Sequence, residues 1–173
     1  PVVGRIAAKL GKPLMPWQQH VADVALEIDP ADGGLWYRGL DLAVPRQSGK
    51  TTLLLPLYVW RAEASHLLGG RQRMLYTAQT GKDAIEKFDE DYVEDLAASR
   101  VMRGRYRVTN HQGRKRIRFQ SGSILSPIAP TGTAGHGKTS DFGALDEAWS
   151  QKNNRVEDGW RPAMITRRNA MLV

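Results

Sequence analysis

Two short stretches of this chain carry residue types that suit one chemistry. The first, Gln47-Ser48-Gly49-Lys50-Thr51-Thr52, joins a glycine, a lysine and two threonine hydroxyls. Glycine lets a backbone wrap an anion, and successive N–H groups at a helix start bind its oxygens. In such a loop Lys50 reaches the terminal phosphates of a nucleotide, and the Thr51 hydroxyl can ligate Mg²⁺. The second, Phe142-Gly143-Ala144-Leu145-Asp146-Glu147, is apolar and ends in two carboxylates. Mg²⁺ is a hard cation that takes a carboxylate, a hydroxyl and phosphate oxygens together, which fits Asp146. Glu147, next in the chain, is placed to orient or deprotonate an attacking water.

Each stretch also has a plainer reading. The full phosphate-loop pattern G-x-x-x-x-G-K-[ST] asks for glycine where this chain has Val44. A stray Gly-Lys-Thr at a helix start is common, and Asp146-Glu147 would also cap a following helix, where acids are favourable. The elements around them decide in favour of phosphate chemistry. The spacing predicts a strand over Leu40–Val44, the loop 45–49, and a helix from Lys50 to Ser65 stopped by Gly69-Gly70. Phe142 to Asp146 reads as a strand. The long interval between Lys50 and Asp146 leaves room for a further strand between the two motif strands.

The remaining elements follow the same periodicities. Pro16 opens a helix carrying Trp17, Val21, Val24 and Ile28 at helical spacing. Asp29 to Gly34 is a turn. Arg73 to Ala78 reads as a buried strand. Lys82 to Ser99 reads as an acidic amphipathic helix with Ile85, Phe88, Tyr92 and Leu96 on one face. Three β runs follow, 105–109, 116–120 and 123–128, then a Gly/Thr-rich loop over 130–140. A helix around 156–166 and a strand over 170–173 end the chain. Alternating strands and helices predict an α/β three-layer sandwich with a mostly parallel sheet and an antiparallel β insertion near 105–128.

Composition narrows the class. The chain has 173 residues, 25 Lys+Arg, 18 Asp+Glu and a formal net charge of +7. The excess is local: from Leu96 to Ser140 there is no acid, and Arg100, Arg103, Arg105, Arg107, Arg114, Lys115, Arg116, Arg118 and Lys138 all fall there. Such a block suits an anionic partner, and equally a solvated hairpin with a basic rim. With no cysteine, disulfide scaffolds, thiolate metal sites and cysteine nucleophiles are excluded. The four histidines show no metal-ligand spacing. The longest apolar run, Leu53 to Trp60, is far short of the ~20 residues of a membrane span, so no membrane partner is expected.

Taken together, Val44-Pro45-Arg46-Gln47-Ser48-Gly49-Lys50-Thr51 and the downstream Leu145-Asp146-Glu147-Ala148-Trp149 resemble the ATPase domain of the large terminase subunit. That subunit is the motor that packages DNA in tailed bacteriophages. The family's altered phosphate loop places Pro-Arg-Gln ahead of Ser-Gly-Lys-Thr, so a missing first glycine is expected of it. Pro16-Trp17-Gln18 resembles its adenine-recognition segment, and Tyr76-Thr77-Ala78-Gln79-Thr80 its strand-end motif after the loop helix. The resemblance spans about Pro16 to Trp149.

The resemblance implies a P-loop NTPase (ASCE/RecA-like) fold with ATP and Mg²⁺ as ligands. Trp17, Gln18 and the loop Pro45, Arg46, Gln47, Ser48, Gly49, Lys50, Thr51 and Thr52 would hold the nucleotide, with Gln18 on adenine and Arg46 on the γ-phosphate. Thr51 and Asp146 would hold the metal. Glu147, Lys50 and Arg46 would carry catalysis. An arginine finger comes in trans in this family, yet residues 135–140 contain no Arg, leaving Lys138 or the span from Arg100 to Arg118. The implied partners are double-stranded DNA, the portal protein and the small terminase subunit, in a homo-oligomeric ring at the procapsid in the host cytoplasm. The 173 residues are then expected to form one ATPase domain, an N-terminal fragment lacking coupling motif and nuclease domain and weak in turnover alone. Two alternatives remain: a DEAD-like helicase ATPase domain, echoed by Asp146-Glu147-Ala148-Trp149, and a non-catalytic DNA-binding or assembly module with a degenerate loop. Intact Lys50, Thr51, Asp146 and Glu147 speak against the second.

Overall fold

One antiparallel strand interrupts an otherwise parallel sheet. The computed structural model describes residues 2–45, 47–111, 114–131, 139–148 and 155–173; Arg114 and Arg155 are described in their backbone only. Arg46, Lys138 and Trp149 therefore lie outside the described residues. Among the described residues the strands are β1 (Arg73–Thr77), β2 (Tyr106–His111), β3 (Arg114–Phe119), β4 (Ile124–Pro127), β5 (Phe142–Leu145) and β6 (Met171–Leu172), in spatial order β2-β3-β4-β1-β5-β6. β4 and β5 flank β1 in parallel, and β6 runs parallel to β5. β3 is antiparallel to both neighbours. The β-type runs near 105–128 therefore split: β4 belongs to the main sheet, and the hairpin β2–β3 extends its edge.

Alternation along the strands builds two cores. Met74, Tyr76, Phe142, Ala144, Ile117 and Leu125 face one side, under α1 (Val2–Lys9), α2 (Pro16–Ala25) and α3 (Lys50–Glu63). The predicted helix over 82–99 covers the same side as α4 (Gly81–Lys87), a π-helical turn (Phe88–Val93) and α5 (Glu94–Ala98). Ala84, Phe88, Tyr92 and Leu96 form its buried stripe, while Ile85 is exposed, because the stripe starts one residue earlier than its apolar spacing suggests. On the other side, Leu75, Leu145 and Leu172 pack under α6 (Arg155–Met164). Three layers result. α1, unpredicted, buries Val3 and Ala7 against the same core.

Two expectations are corrected. Leu40–Val44 is not a strand: Gly39 forms a single parallel bridge to Leu172, and the Leu40 N–H donates to the Leu172 carbonyl at 2.9 Å. Apart from this bridge, in which the Leu172 N–H also donates to the Arg38 carbonyl at 3.0 Å, no strand pairing engages the segment among the described residues. The strand between that segment and β5 is β6, which comes after Asp146 in sequence. The strands that precede β5 in the Lys50–Asp146 interval, β1 to β4, all lie on the far side of β5.

α6 is seated by one residue pair. A Cβ on Gly143 would lie 2.3 Å from the Trp160 ring, so only glycine lets the indole, itself fully buried, lie flat on β5. Gly143→Ala should therefore lower stability by about 1–3 kcal/mol, the usual cost of overpacking. Chemical denaturation checks this; an unchanged midpoint would remove α6 from the core.

Candidate functional site

The loop between Gly39 and α3 is built to present backbone donors. The Ser48 hydroxyl and N–H both donate to the Pro45 carbonyl, at 2.5 and 3.4 Å, closing a tight turn. Gln47 and Gly49 take left-handed backbone, φ 62° and 84°. Gly49 caps α3 with no side-chain hydrogen bond, so the leading N–H groups of α3 lack an intrahelical partner, and Lys50 at the head of the helix lines an open cavity. Gln18 secures this arrangement from α2. Its amide nitrogen donates to the Gly49 carbonyl at 2.7 Å, and its amide oxygen accepts from the Met15 N–H at 2.7 Å. Gln18 is 1% exposed, so it acts here as an internal clamp with one amide hydrogen to spare. Trp17 beside it is half-buried.

β5 brings the carboxylates to the same place. Asp146 is 8% exposed and is held on three sides. Lys50 stands 3.8 Å from its Oδ1, Lys87 stands 3.3 Å from its Oδ2, and the Tyr76 hydroxyl donates to Oδ2 at 3.1 Å. Lys87 also reaches Glu147, at 3.3 Å. Burial alone would lower the Lys87 pKa, but Asp146 and Glu147 outweigh it and the net direction is up, so Lys87 is cationic. Burial, then Asp146, raises the Tyr76 phenol, which stays protonated as a donor. Glu147 has φ 57°. Gln47 and Glu147 are the non-glycine residues with left-handed backbone among the described residues, and both sit in this site, where strain costing roughly 1–3 kcal/mol is commonly retained for function.

One cavity of about 580 Å³ is lined by Lys50 from the first motif stretch, by Asp146 and Glu147 from the second, and by Leu42, Pro45 and Arg161. Among the described residues no three His, Asp or Glu side chains gather into a metal cage. A divalent ion here would therefore complete its shell with a hydroxyl, water or phosphate oxygens. Asp146 together with Thr51, in the first turn of α3, fits that demand. Thr51 and Thr52 are half-buried at that turn.

The structure adds Lys87, Tyr76 and Arg161 to the residues the sequence picked out. Lys87 lies in an acidic helix, and nothing in its spacing marks it; a π-helical turn, often found at functional positions, begins directly after it. Arg161 lines the cavity from α6 and pairs with Glu157.

The basic block divides. Lys115 turns to the helical side and pairs with Asp89, and Arg105 pairs with Glu63. Arg107 and Arg118 lie directly opposite on the other face, with Arg116 opposite Thr109. Arg118 is also level with Ile124, which is level with Arg73, so the row crosses four strands. No acidic side chain forms an ion pair with the guanidinium of Arg73, Arg107, Arg116 or Arg118 among the described residues, although Asp141 accepts the Arg73 backbone N–H at 2.7 Å. Arg114 joins the row by register, opposite His111. Arg100 and Arg103 are exposed outside the strands.

A parallel sheet with a glycine loop ahead of α3 and a carboxylate at the end of β5 defines a P-loop NTPase fold. More narrowly, it is the fold of large terminase ATPase domains. The HK97 bacteriophage large terminase superposes with a TM-score of 0.75 at 17% identity, covering 98% of this chain and 36% of that one. The Thermus phage P74-26 large terminase ATPase domain gives 0.68 at 17% identity, covering 95% and 65%. The large terminase from a thermophilic bacteriophage, in complex with ADP, gives 0.61 at 17% identity, covering 92% and 38%. The chain thus spans little more than a third of the HK97 chain and of the ADP-bound one. No protein-family model and no curated protein matches it.

Gly49 sits where two constraints meet. A Cβ there would lie 2.8 Å from the Gln18 amide nitrogen, on backbone that L residues rarely adopt. Gly49→Ala should weaken binding of a triphosphate about tenfold or more and lower the melting temperature slightly. Titration with a fluorescent nucleotide checks this; unchanged affinity would free the loop from the clamp.

Proposed function

We propose that this domain hydrolyses ATP and that hydrolysis drives movement of double-stranded DNA, as the ATPase part of a large terminase. The observation that carries this reading is the approach of Lys50, at the head of α3, to Asp146, at the end of β5. Cation, buried carboxylate and uncapped helix start converge on one cavity, which suits a triphosphate. The thermophilic-phage terminase, of the same fold, has been crystallised with ADP and with ATP-gamma-S.

On this reading the N–H groups of Gly49, Lys50 and Thr51 receive the β- and γ-phosphates. The Lys50 ammonium leaves Asp146 for phosphate oxygens, and Thr51 and Asp146 hold Mg²⁺. Bound there, Mg²⁺ neutralises charge that develops on the phosphate oxygens. Glu147 accepts a proton from water as the water oxygen bonds to the γ-phosphorus, while the bond to the β–γ bridging oxygen breaks in line. Arg46 offers a guanidinium to the γ-phosphate from the loop, Gln18 and Trp17 approach the base, and a neighbouring subunit supplies the last cation.

DNA is the partner we assign to the arginine row. Like charges directly opposite on a hairpin, as in Arg107 and Arg118, are destabilising in the free protein. A phosphate backbone would relieve that repulsion, and guanidinium forks suit it. Among the described residues no helix is long and apolar enough to cross a membrane. The portal protein, the small terminase subunit, a homo-oligomeric ring and the host cytoplasm accompany this reading.

Two experiments test it. Glu147→Gln should leave ATP affinity within about twofold and reduce phosphate release by roughly 10²-fold or more, since it removes only the base; unaltered turnover would contradict the assignment. Arg107→Glu with Arg118→Glu should weaken duplex DNA binding and reduce the slope of log affinity against log salt by about 1–2. Loss of hydrolysis with DNA affinity intact would instead place the row at a subunit interface.

A further inference from the structure

We infer that Tyr76 is a positioning residue for Asp146: it commits the Oδ2 oxygen to the protein and leaves Oδ1 facing Lys50 as the ligand position for Mg²⁺. The inference rests on the nucleotide reading above and adds to it a residue of β1 that touches neither nucleotide nor metal.

The two oxygens of Asp146 are unequal. Oδ2 accepts from the Tyr76 hydroxyl at 3.1 Å and from Lys87 at 3.3 Å. Oδ1 faces Lys50 at 3.8 Å, a looser contact on the side of the glycine loop. The register explains how Tyr76 gets there. It lies level with Ala144 on the neighbouring strand, and Asp146 follows two residues on, so both project from the same face.

The ring has no freedom to leave. Tyr76 is 0% exposed and packs edge-on against Tyr92, with centroids 5.0 Å apart. Tyr92 in turn packs against Tyr58 at 5.7 Å and Phe88 at 5.9 Å. The Tyr58 hydroxyl is engaged elsewhere, donating to the Leu75 carbonyl at 2.7 Å, so within this cluster Tyr76 alone hydrogen-bonds Asp146. Backbone reinforces the aim: the Asp146 N–H donates to the Thr77 carbonyl at 3.0 Å, next to Tyr76. A hydroxyl fixed this firmly does more than satisfy a buried oxygen. It sets the carboxylate rotation, and outer contacts of this kind commonly govern metal affinity by about 10–100-fold.

Tyr76→Phe removes one oxygen and keeps the ring. The test is binding of ATP-gamma-S to the purified chain across a Mg²⁺ titration, with the melting temperature read in parallel. The Mg²⁺ concentration for half-maximal nucleotide binding should rise about tenfold, while nucleotide affinity in EDTA changes less than twofold. Tyr58→Phe, which removes a hydroxyl from the same cluster, should leave the Mg²⁺ dependence unchanged. If wild type needs Mg²⁺ and Tyr76→Phe needs it equally, or if both variants shift it alike, the inference is overturned. A fall in affinity that is equal with Mg²⁺ and with EDTA would show a merely structural role and overturn it too. Wild-type binding that ignores Mg²⁺ would overturn the nucleotide reading itself, and this inference with it.

Discussion

A carboxylate almost out of water at the end of a central strand needs compensation, and the arrangement of this domain follows from that need. Asp146 is 8% exposed, and desolvating an unpaired charge costs several kcal/mol. Compensation arrives from three elements. α3 delivers Lys50, α4 delivers Lys87, and β1 delivers the Tyr76 hydroxyl. Each element reaches Asp146 because the parallel sheet sets β1 beside β5 and lays α3 and α4 on one face. The same convergence is what a metal-bound triphosphate would exploit. Two lysines already stand at Asp146, so a further cation would enter where one of them gives way, and Lys50 is the looser of the two.

The chemistry-bearing residues were more legible than the elements that carry them. Strand-loop-helix logic located Gly49, Lys50 and Asp146 because phosphate chemistry demands fixed residue types at fixed local spacing. Leu40–Val44 failed as a strand for a nonlocal reason: a strand needs a pairing partner, and the bridge beside this segment joins Gly39 to Leu172, over a hundred residues away in the chain. Lys87 was invisible for a related reason, since it belongs to no short motif. Tyr76 stood in the strand-end stretch Tyr76 to Thr80, but with no role attached to it. The meaning of both comes from strand register and from the π-helical turn after Lys87. Gln18 was picked out for a base. The folded chain shows that it holds the loop, through bonds to Gly49 and Met15 that no local pattern announces.

Composition located the positive charge, and register gave it a direction. A run of nine basic residues says nothing about faces, whereas period-two alternation sends Lys115 to Asp89 and lines Arg107, Arg116 and Arg118 along the opposite face. That separation turns a diffuse excess into a row of guanidinium groups without ion-pair partners among the described residues. It lies on the α6 side of the sheet, opposite the face that carries α3 and α4. Within the sheet, β4 and β1 bridge the arginine row to β5.

The account stands on the cavity between the Gly49 loop and Asp146 being a Mg²⁺–triphosphate site. The most direct measurement is the melting temperature of the chain with and without Mg²⁺–ATP-gamma-S, in wild type and in Lys50→Ala. Ligand at about a hundred times its dissociation constant adds about 2.7 kcal/mol of stability, worth several degrees in a domain of this size. The account predicts that rise for wild type and its loss in Lys50→Ala. A wild-type chain whose melting does not move with saturating nucleotide and Mg²⁺ would contradict it.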